Sequence, residues 1–407
     1  MLYFKNVELA DTYHVSLRTV LNWIEAAKQG KLDLTLHTQN NKAYVANTAR
    51  NIATIKKLVT ERKKYRNSRG FKTVTPRPEF YELYDEQQIL DIISNLDVYH
   101  EIPRQYNYFD GGADYWDKYA QKMAVEDMPN TLTRTIKLLD MNKSYIDNLF
   151  AGRKRVNVVD IGVGNALPVK DFLAYLLEQG VMNRYIGLDI SAIMLQIARR
   201  NIKEWFGDKV PFEGYELDIN YDRFANLLAN EYIRRDSKDT INVLLLLGGT
   251  LVNLRAPDGA LRVIHASMGR NDVLLHTQKL DTENSRRYFN FSLEPGKSPL
   301  SPNYRFIVDL LNIDESFYDT EMGFDEEKRQ RYIRIRLKVA LTLKFEFNEG
   351  ERSVDLNKDD AILLWRAWHQ NAFDVIEQFK RNDFHPLQIS QTEDKEYILT
   401  ISRIKSE

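Results

Sequence analysis

The feature that most constrains the fold is an apolar run that ends in a glycine-rich turn. Residues 156–161 fit a strand that is covered on both faces of a parallel sheet. Asp160 lies near the carboxyl end of this strand, and Gly162 and Gly164 let the backbone turn tightly and approach a ligand closely. With Asn165 at the end of the turn, the segment predicts a cofactor site. Many α/β proteins carry such a turn without a ligand, so the turn alone is a weak signal.

Strand-like and helix-like runs continue to alternate after this turn. Strands are predicted at residues 184–190, 210–217, 241–247 and 272–276, with helices at 166–179, 192–206, 222–230 and 257–268. This alternation predicts an α/β, Rossmann-like, doubly wound sheet that binds ligands at the carboxyl ends of its strands.

Acidic residues follow the second and third strands of this sheet. Asp189 and Ile190 end the second strand, 25 residues after Gly164, and Asp218 and Ile219 follow the third. An acid at the end of the second strand is where a Rossmann-like site holds ribose hydroxyls. The turn lacks the third glycine of G-x-G-x-x-G, which favours a ligand without a pyrophosphate.

The amino-terminal part of the chain is strongly basic. Residues 1–80 contain 15 Lys and Arg against 6 Asp and Glu, whereas the whole chain has a net charge of -1. Ten basic residues and one acid, Glu61, lie between residues 50 and 77. This asymmetry predicts contact with a polyanion, with nucleic acid the first candidate. The alternative is a solvated helix and linker.

Residues 7–45 have the pattern of two short helices followed by a hairpin. Helices are predicted at 7–13 and 17–27, with Ser16 as the N-cap of the second, and strands around a turn at Asn40 and Asn41. This segment resembles the winged helix-turn-helix of excisionase and mercury-regulator-type proteins. The resemblance implies DNA binding by residues of the second helix and the hairpin, namely Arg18, Thr19, Asn22 and Lys42. The alternative is a module that grips protein.

The same resemblance extends through a helix predicted at residues 46–64. In that family the long helix after the hairpin often pairs with a second subunit, so residues 46–64 are a candidate homodimer contact and residues 1–66 a candidate DNA-binding region. Residues 69–78 contain two prolines and a glycine and are predicted to be a linker.

An aromatic-rich segment lies between two predicted helices, at 86–96 and 132–150. Residues 102–119 are predicted to be a loop that carries Tyr106, Tyr108 and Tyr115 beside a Gly-Gly pair. Such a cluster is suited to a lid or a pocket wall, because tyrosine offers a large apolar area with a polar tip. Packing between helices is the alternative.

The motifs of the α/β part resemble those of S-adenosylmethionine-dependent methyltransferases. The segment 247–254, Leu-Gly-Gly-Thr-Leu-Val-Asn-Leu, is similar to that of the histidine-specific methyltransferase family. The resemblance implies S-adenosylmethionine as cofactor, held by residues of the four strand ends, and Asn253 as a ligand of the substrate amino acid. The cofactor residues predicted in this way or from the turn are Asp160, Gly162, Gly164, Asn165, Asp189, Ile190, Asp218, Ile219, Gly248, Gly249 and Thr250. For Asn253, capping of the following helix is the alternative.

The carboxyl-terminal part departs from that family. A Glu-x-Ser pair that recognises imidazole precedes the last helix of histidine-specific members, whereas residues 361–369 read Ala-Ile-Leu-Leu-Trp-Arg-Ala-Trp-His. Trp365 and Arg366 are therefore predicted to contact a different substrate, one with a planar or anionic part. Core packing of the tryptophans is the alternative. A helix is predicted at 368–381 and a final strand at 397–401.

These patterns predict three domains in a chain of 407 residues. They are a winged helix-turn-helix with its basic helix and linker (1–78), an inserted α+β substrate-covering domain (79–150 with 282–350), and a methyltransferase domain (151–281 with 351–407). The chain has no cysteine and no metal-ligand spacing among its seven histidines, so no metal site is expected. No apolar run is long enough to span a bilayer and no leader is evident, so we expect a cytoplasmic protein.

The function predicted from the sequence is methyl transfer to the amine of a small amino-acid-like or peptide substrate. The acceptor's proton must be removed before attack, and Tyr106, Tyr108 or a water held by Asn253 are the candidates for assisting. One alternative is a transcriptional regulator whose methyltransferase-like domain senses S-adenosylmethionine or a metabolite without catalysis. A nucleic-acid methyltransferase is disfavoured, because no Asn/Asp-Pro-Pro-Tyr/Phe motif follows the strand at 241–247.

Overall fold

The computed structural model describes residues 3–13, 15, 17–39, 42–68, 70–109, 111–126, 130–233, 239–287, 299–347 and 350–405. The predicted cap Ser16 and the predicted turn at Asn40 and Asn41 lie outside these residues. The chain forms two compact units. The first comprises Met1–Pro103, Leu293–Glu321 and Ile333–Trp365, and the second comprises Arg104–Ser292, Met322–Tyr332 and Arg366–Glu407.

The helices lie mainly in the first two thirds of the chain. Their bounds are α1 (Asn6–Thr12), α2 (Leu17–Lys28), α3 (Ala49–Ser68), α4 (Pro78–Leu83), α5 (Glu86–Tyr99), α6 (Gly111–Val125), α7 (Thr131–Met141), α8 (Lys143–Phe150), α9 (Lys170–Glu178), α10 (Ala192–Phe206), α11 (Ala225–Ile233), α12 (Thr250–Asn253), α13 (Pro257–Ser267), α14 (Glu283–Arg287), α15 (Pro302–Leu310) and α16 (Ala372–Arg381). Short 3-10 helices occur at Arg104–Tyr108, Leu167–Val169 and Glu315–Phe317.

The strands belong to four sheets. Their bounds are β1 (Tyr3–Phe4), β2 (Leu36–Gln39), β3 (Lys42–Ala46), β4 (Lys72–Val74), β5 (Arg155–Ile161), β6 (Met182–Asp189), β7 (Phe212–Glu216), β8 (Thr240–Leu246), β9 (Val273–Lys279), β10 (Tyr318–Asp325), β11 (Gln330–Leu337), β12 (Leu341–Phe347), β13 (Gly350–Leu356), β14 (Ala361–Trp368), β15 (Phe384–Gln391) and β16 (Tyr397–Ile404).

A seven-stranded sheet organises the described part of the second unit. Its order is β15-β16-β9-β8-β5-β6-β7. The strands β5 to β9 are parallel, whereas β16 pairs antiparallel with both β9 and β15. The strand order reverses between β5 and β8, so the crevice at their carboxyl ends is the place where such sheets bind ligands. This is the Rossmann-like, doubly wound α/β sheet that the sequence predicts.

Burial explains why the strands of this sheet are so apolar. All but the first residue of β5, and all of β8, are buried, because helices cover both faces of the sheet. One face packs on residues such as Leu138, Phe172 and Leu195, and the other on Phe224, Leu261 and Phe379. The glycine turn after β5 is therefore attached to the most deeply buried strand pair of the unit.

The first unit contains the amino-terminal module and two other pieces of chain. The helices α1 and α2 and the hairpin β2-β3 are present where the sequence predicts two helices and a hairpin, and β1 adds a third strand beside β3. Leu9, Val20, Ile24, Val45 and Ile55 form the core of this module. The arrangement fits a helix-turn-helix with a hairpin, and its identity as a DNA-binding winged helix stays a prediction.

Two of the predicted DNA-binding residues are packed inside the first unit. The backbone N–H of Arg18 donates to the Asp97 carboxylate of α5 at 3.0 Å, and the Arg18 guanidinium contacts the His100 ring. Thr19 is buried, whereas Asn22 and Lys42 are exposed. The first turn of α2 therefore contacts α5 and is only partly exposed.

Several predicted elements have different bounds in the structure. The predicted loop at 102–119 contains a 3-10 helix and the first half of α6, and the predicted helix at 132–150 breaks into α7 and α8 at Asn142. Asn142 is the C-cap of α7, and its side-chain amide donates to the Leu138 carbonyl. The predicted linker contains β4, which pairs in parallel with Leu341–Leu343 of β12. Such pairings are invisible to local pattern.

The predicted helix at 368–381 is also wrong at its start. Trp368 ends strand β14, and α16 begins at Ala372, where the side chain of Asn371 accepts the Asp374 N–H in a capping box. In contrast, α10 has the predicted bounds, and Ser191 caps it by accepting the Met194 N–H at 3.3 Å. No helix within the described residues is both long and apolar enough to cross a membrane.

Candidate active site

The glycine turn after β5 has the tight, left-handed backbone that its two glycines permit. Gly162 and Gly164 have φ of 75° and 53°, in the region that side chains rarely adopt. A Cβ atom on Gly162 would lie 3.0 Å from the Thr250 hydroxyl oxygen. One on Gly164 would lie 3.8 Å from both the Met194 methyl carbon and the Trp116 ring nitrogen. The turn is thus bounded by the helix after β8 and by α6.

The Asp189 carboxylate holds this turn to the end of β6. It accepts the backbone N–H groups of Gly164 and Ser191, each at 3.1 Å, and also that of Ile190. A carboxylate has about four acceptor positions, so capacity remains for a ribose hydroxyl. Burial raises the pKa of Asp189 to about 6, against the lowering effect of these three N–H groups.

Asp160 lies beneath the turn rather than in it. Its side chain is almost fully buried and accepts the Tyr185 hydroxyl at 2.7 Å. Burial raises the pKa of Asp160 to about 7; the Tyr185 hydrogen bond lowers it and the nearby Asp189 raises it. Its hydrogen bond to Tyr185 lies within the sheet and fixes Asp160 beneath the turn, and its contact with the cofactor stays a prediction.

Asn165 anchors helix α6 to the turn. Its amide donates to the buried Asp117 carboxylate at 2.8 Å, and its oxygen accepts the Leu167 N–H at 3.1 Å. Arg200 of α10 also donates to Asp117, at 3.1 Å. Both ends of the Asn165 side chain are thereby engaged with protein, which favours a structural role over the predicted contact with the cofactor.

Aromatic side chains of the 3-10 helix and α6 form a wall beside Gly164. The guanidinium of Arg104 lies 5.5 Å from the centre of the Tyr108 ring and 5.6 Å from that of Trp116. Its Nε also donates to the Tyr108 hydroxyl, and the Tyr108 carbonyl accepts the Ser191 hydroxyl at 2.7 Å. These contacts fix the wall to the start of α10.

The three predicted tyrosines therefore have different surroundings. Tyr108 is part of this wall, with Arg104 on its hydroxyl. Tyr106 is almost fully buried and packs against Phe109. Tyr115 lies on α6 with 37% of its surface exposed, and the neighbouring Trp116 is the residue that approaches Gly164.

The Gly-Gly-Thr segment forms the turn between β8 and α12. Gly248 has φ of 71°, and its N–H donates to the Thr277 hydroxyl of β9 at 3.0 Å. A Cβ on Gly249 would lie 3.2 Å from the Asn253 amide nitrogen, so the Asn253 side chain folds over this glycine. Asn253 ends α12, and Ala256 is the N-cap of α13, so the capping alternative for Asn253 is not observed.

Strand β14 reaches the same segment. The indole nitrogen of Trp368 donates to the Leu254 carbonyl, one residue beyond Asn253, at 2.8 Å. Arg366 lies two residues earlier in β14 and is partly buried, while Trp365 belongs to the first unit. Trp368 is thus the tryptophan that is placed beside the Gly-Gly-Thr turn.

The third strand end is less buried than the first two. Asp218 accepts the backbone and side-chain N–H groups of Asn220, at 2.8 and 2.7 Å, and Ile219 is buried beneath it. The Asp218 carboxylate is therefore used to shape its own loop, with Ile219 offering an apolar surface.

Several residues near the site carried no motif in the sequence. Asp117, Thr277 and Met194 contact residues of the two glycine turns. Trp116 and Arg104 belong to the aromatic cluster, and the sequence does not show which part of the fold this cluster faces. Three consecutive polar residues, His276, Thr277 and Gln278, follow the apolar part of β9, and they are the one sequence signal for polar side chains at the end of this strand. Among the described residues, no group of three or more His, Asp or Glu is placed to hold a metal ion.

A comparison with family models identifies the chemistry of this site. Residues 85–287, about half of the chain, match the family described as histidine-specific methyltransferase, SAM-dependent. This part of the chain is a methyltransferase domain of the S-adenosylmethionine-dependent family. Its cofactor is S-adenosylmethionine. The residues fit that cofactor. Gly162 and Gly164 let the backbone approach it closely, and Asp189 at the end of β6 offers acceptors for its ribose hydroxyls.

Solved methyltransferase structures are similar at a distant level. One from Clostridium acetobutylicum has 10% identity and a TM-score of 0.40, over 72% of this chain and 99% of that chain. The CcbJ methyltransferase from Streptomyces caelestis has 12% identity and a TM-score of 0.36, over 72% of this chain and 96% of that chain. The 1,6-didemethyltoxoflavin-N1-methyltransferase from Burkholderia thailandensis has 13% identity and a TM-score of 0.35, over 72% of this chain and 87% of that chain. No curated protein sequence matches the chain.

The first prediction concerns the pH dependence of cofactor binding. Because the pKa of Asp189 is raised to about 6, the ionised form that accepts hydroxyls is lost below that pH. We expect the Kd for S-adenosylmethionine to rise about tenfold per pH unit below about 6 and to level off above about 7. Isothermal titration across this range measures the change, with proton release on binding near pH 6.

Two variants assign that pH dependence to one carboxyl group. Asp189→Asn should bind S-adenosylmethionine weakly at every pH, with no dependence of the Kd on pH. Asp160→Asn should keep the pH dependence, because the Asp160 carboxyl accepts the Tyr185 hydroxyl within the sheet. A slope of the same size in Asp189→Asn would show that another group controls binding.

The second prediction concerns the start of α6. A Cβ on Gly112 would lie 1.9 Å from the Asn107 backbone oxygen, so Gly112→Ala forces α6 and the 3-10 helix apart. We expect a loss of about 1–3 kcal/mol in the free energy of unfolding and weaker cofactor binding, because α6 carries Trp116 and Asp117. Thermal unfolding and titration measure both.

Gly259→Ala is the matched control for this substitution. A Cβ there would meet Ala256 at 3.7 Å, an ordinary contact in the first turn of α13. This variant should be neutral or more stable by up to about 1 kcal/mol. Equal stabilities for the two variants would refute the role given to Gly112.

Proposed function

We propose that the protein transfers a methyl group from S-adenosylmethionine to the amine of a small amino-acid-like or peptide substrate. The observation that carries the proposal is the position of Asn253, which folds over Gly249 in a turn whose Thr250 is packed against Gly162. An amide at this position offers both a donor and an acceptor to the amino and carboxyl groups of a substrate. The family match over residues 85–287 supports the same substrate class.

Methyl transfer requires alignment more than acid-base strength. The cofactor supplies an electrophilic methyl carbon on its sulfonium, and the acceptor nitrogen must approach it in line, with its lone pair free. Residues at the carboxyl ends of β5, β6 and β8 orient the two partners. The aromatic wall of Tyr108 and Trp116 excludes water from this end of the sheet. Tyr106 and Tyr108 remain the proposed assistants in proton removal, with Tyr108 the less buried of the two.

Residues of β14 are proposed to determine which methyl acceptor binds. Trp365 and Arg366 are proposed to contact a planar or anionic part of the acceptor, and Trp368 supports that strand through its bond to Leu254. Because Trp and Arg stand where histidine-specific members carry Glu-x-Ser, we propose an acceptor other than free histidine. Residues 79–150 with 282–350 are proposed to cover this acceptor as one domain.

The amino-terminal residues 1–66 are proposed to be a winged helix-turn-helix that binds DNA or docks the enzyme on a partner. The order α1, α2, β2, β3 and the basic balance of this region support it. Pairing of two copies through α3 is part of the same proposal. The comparisons give no support to the alternative of a sensor without catalysis.

The test is transfer of a labelled methyl group. The protein is incubated with labelled S-adenosylmethionine and a panel of amino acids, short peptides and a metabolite extract, and labelled small molecules are separated. We expect label in an amine-bearing acceptor. Cofactor binding without label in any small molecule would refute the proposed reaction.

The third prediction separates substrate binding from cofactor binding. Asn253→Ala should lower kcat/KM for the acceptor by about 100-fold, while the Kd for S-adenosylmethionine changes by less than about twofold. The exposed amide Asn47 supplies the control, and Asn47→Ala should leave both values unchanged. A large loss of cofactor affinity in Asn253→Ala would move this residue to the cofactor site.

A further inference from the structure

The helix that would read a duplex is partly covered by α5 at its first turn. A recognition helix contacts base edges with its amino-terminal residues. In α2 the Arg18 N–H is taken by the Asp97 carboxylate, the Arg18 side chain contacts His100, and Thr19 is buried. A fixed carboxylate beside this helix end also repels phosphate. The basic amino-terminal module therefore needs another surface if it is to bind a polyanion.

The outer face of the sheet β1-β3-β2 provides such a surface. In β3, Val45 is fully buried, so its neighbour Tyr44 lies on the opposite face. Tyr44 is paired with His37 of β2, and Lys42 with Gln39. Tyr3 of β1 stacks on His37 with ring centres 4.7 Å apart and planes at 10°, and lies 4.9 Å from the Tyr44 ring.

Three aromatic rings thus share one face of a small sheet and remain partly exposed. The hydroxyl of Tyr3 donates to Gln39, which holds the ring in place across the face. The exposed Lys42 lies at the edge of the same face, and the exposed Lys5 follows β1. The rings offer apolar planes, and the lysines offer positive charge beside them.

We infer that this face, formed by Tyr3, His37, Tyr44 and Lys42, binds single-stranded nucleic acid by stacking its bases. Unpaired bases expose the flat faces that aromatic rings stack on, whereas a duplex hides them. Positions 1–80 hold 15 basic and 6 acidic residues, and the resulting positive charge attracts phosphate. The inference rests on the proposed role of residues 1–66 as a binding module and is independent of methyl transfer.

Fluorescence anisotropy with the full chain tests this inference. The probes are a labelled 12-nucleotide oligothymidylate and a labelled duplex of the same length, each titrated at several salt concentrations. We expect the single strand to bind more tightly than the duplex. Duplex binding as tight as single-strand binding, or no saturable binding at low salt, would overturn the inference.

Variants locate the surface. Tyr44→Ala should weaken single-strand binding by about tenfold, whereas Tyr44→Phe should retain it because stacking needs the ring. Lys42→Gln should reduce the slope of log affinity against log salt by about 0.7. The matched controls are Tyr99→Ala, an exposed tyrosine of α5, and Lys203→Gln, an exposed lysine of α10, and both should bind as the unchanged protein does.

Two further measurements make failure informative. Asn22→Ala removes an exposed side chain of α2; if it weakens binding more than Tyr44→Ala, α2 and not the sheet face is the surface. Thermal unfolding of each variant shows whether Tyr44→Ala is folded; if it is not, the salt slope of Lys42→Gln tests the face, because an unchanged slope would contradict the inference. The Kd for S-adenosylmethionine is measured on the same samples, so a failure of nucleic-acid binding is distinguished from a failure of the proposed methyl transfer.

Discussion

The hydrogen bond from the Gly164 N–H to the Asp189 carboxylate is the contact on which the site depends. It joins the turn after β5 to the end of β6, two neighbouring parallel strands of a buried sheet. With the Ser191 N–H on the other oxygen, the carboxylate also sets the start of α10. One acidic side chain therefore fixes both the loop that approaches the cofactor and the helix beside it, and it keeps acceptor capacity for a hydroxyl.

This arrangement buries charge, and the surrounding groups limit the cost. Burial raises the pKa of both Asp160 and Asp189, and the two carboxyl groups repel each other when ionised. Tyr185 donates to Asp160, and backbone N–H groups donate to Asp189, so each carboxylate is solvated by protein rather than by water. The buried Asp117 carboxylate likewise accepts hydrogen bonds from Asn165 and Arg200, and the bond from Asn165 connects α6 to the turn.

The amino-terminal module shows how tertiary contacts change the meaning of a motif. Its helices and hairpin follow the sequence pattern, but the contact of Arg18 with Asp97 and His100 places the first turn of α2 against α5. Asn22 of α2 stays exposed, and the sheet face around Tyr44 stays partly exposed. A motif therefore predicts the local fold, while the residues that pack on it decide which of its faces can reach a partner.

The sequence by itself determined the mainly parallel sheet and its two glycine turns, because a buried strand, a helix period and a turn each depend on neighbouring residues. The cofactor followed from the resemblance of these motifs to a methyltransferase family. The sequence also determined the bounds of α10, since Ser191 caps the helix locally. The hydrogen-bond partners of Asp160 and Asn165, the strand β14 and the pairing of β4 with β12 were decided only by the tertiary structure. Each of these depends on a partner far away in the chain, such as Tyr185, Asp117 or Leu341–Leu343, and local periodicity carries no information on which distant groups meet.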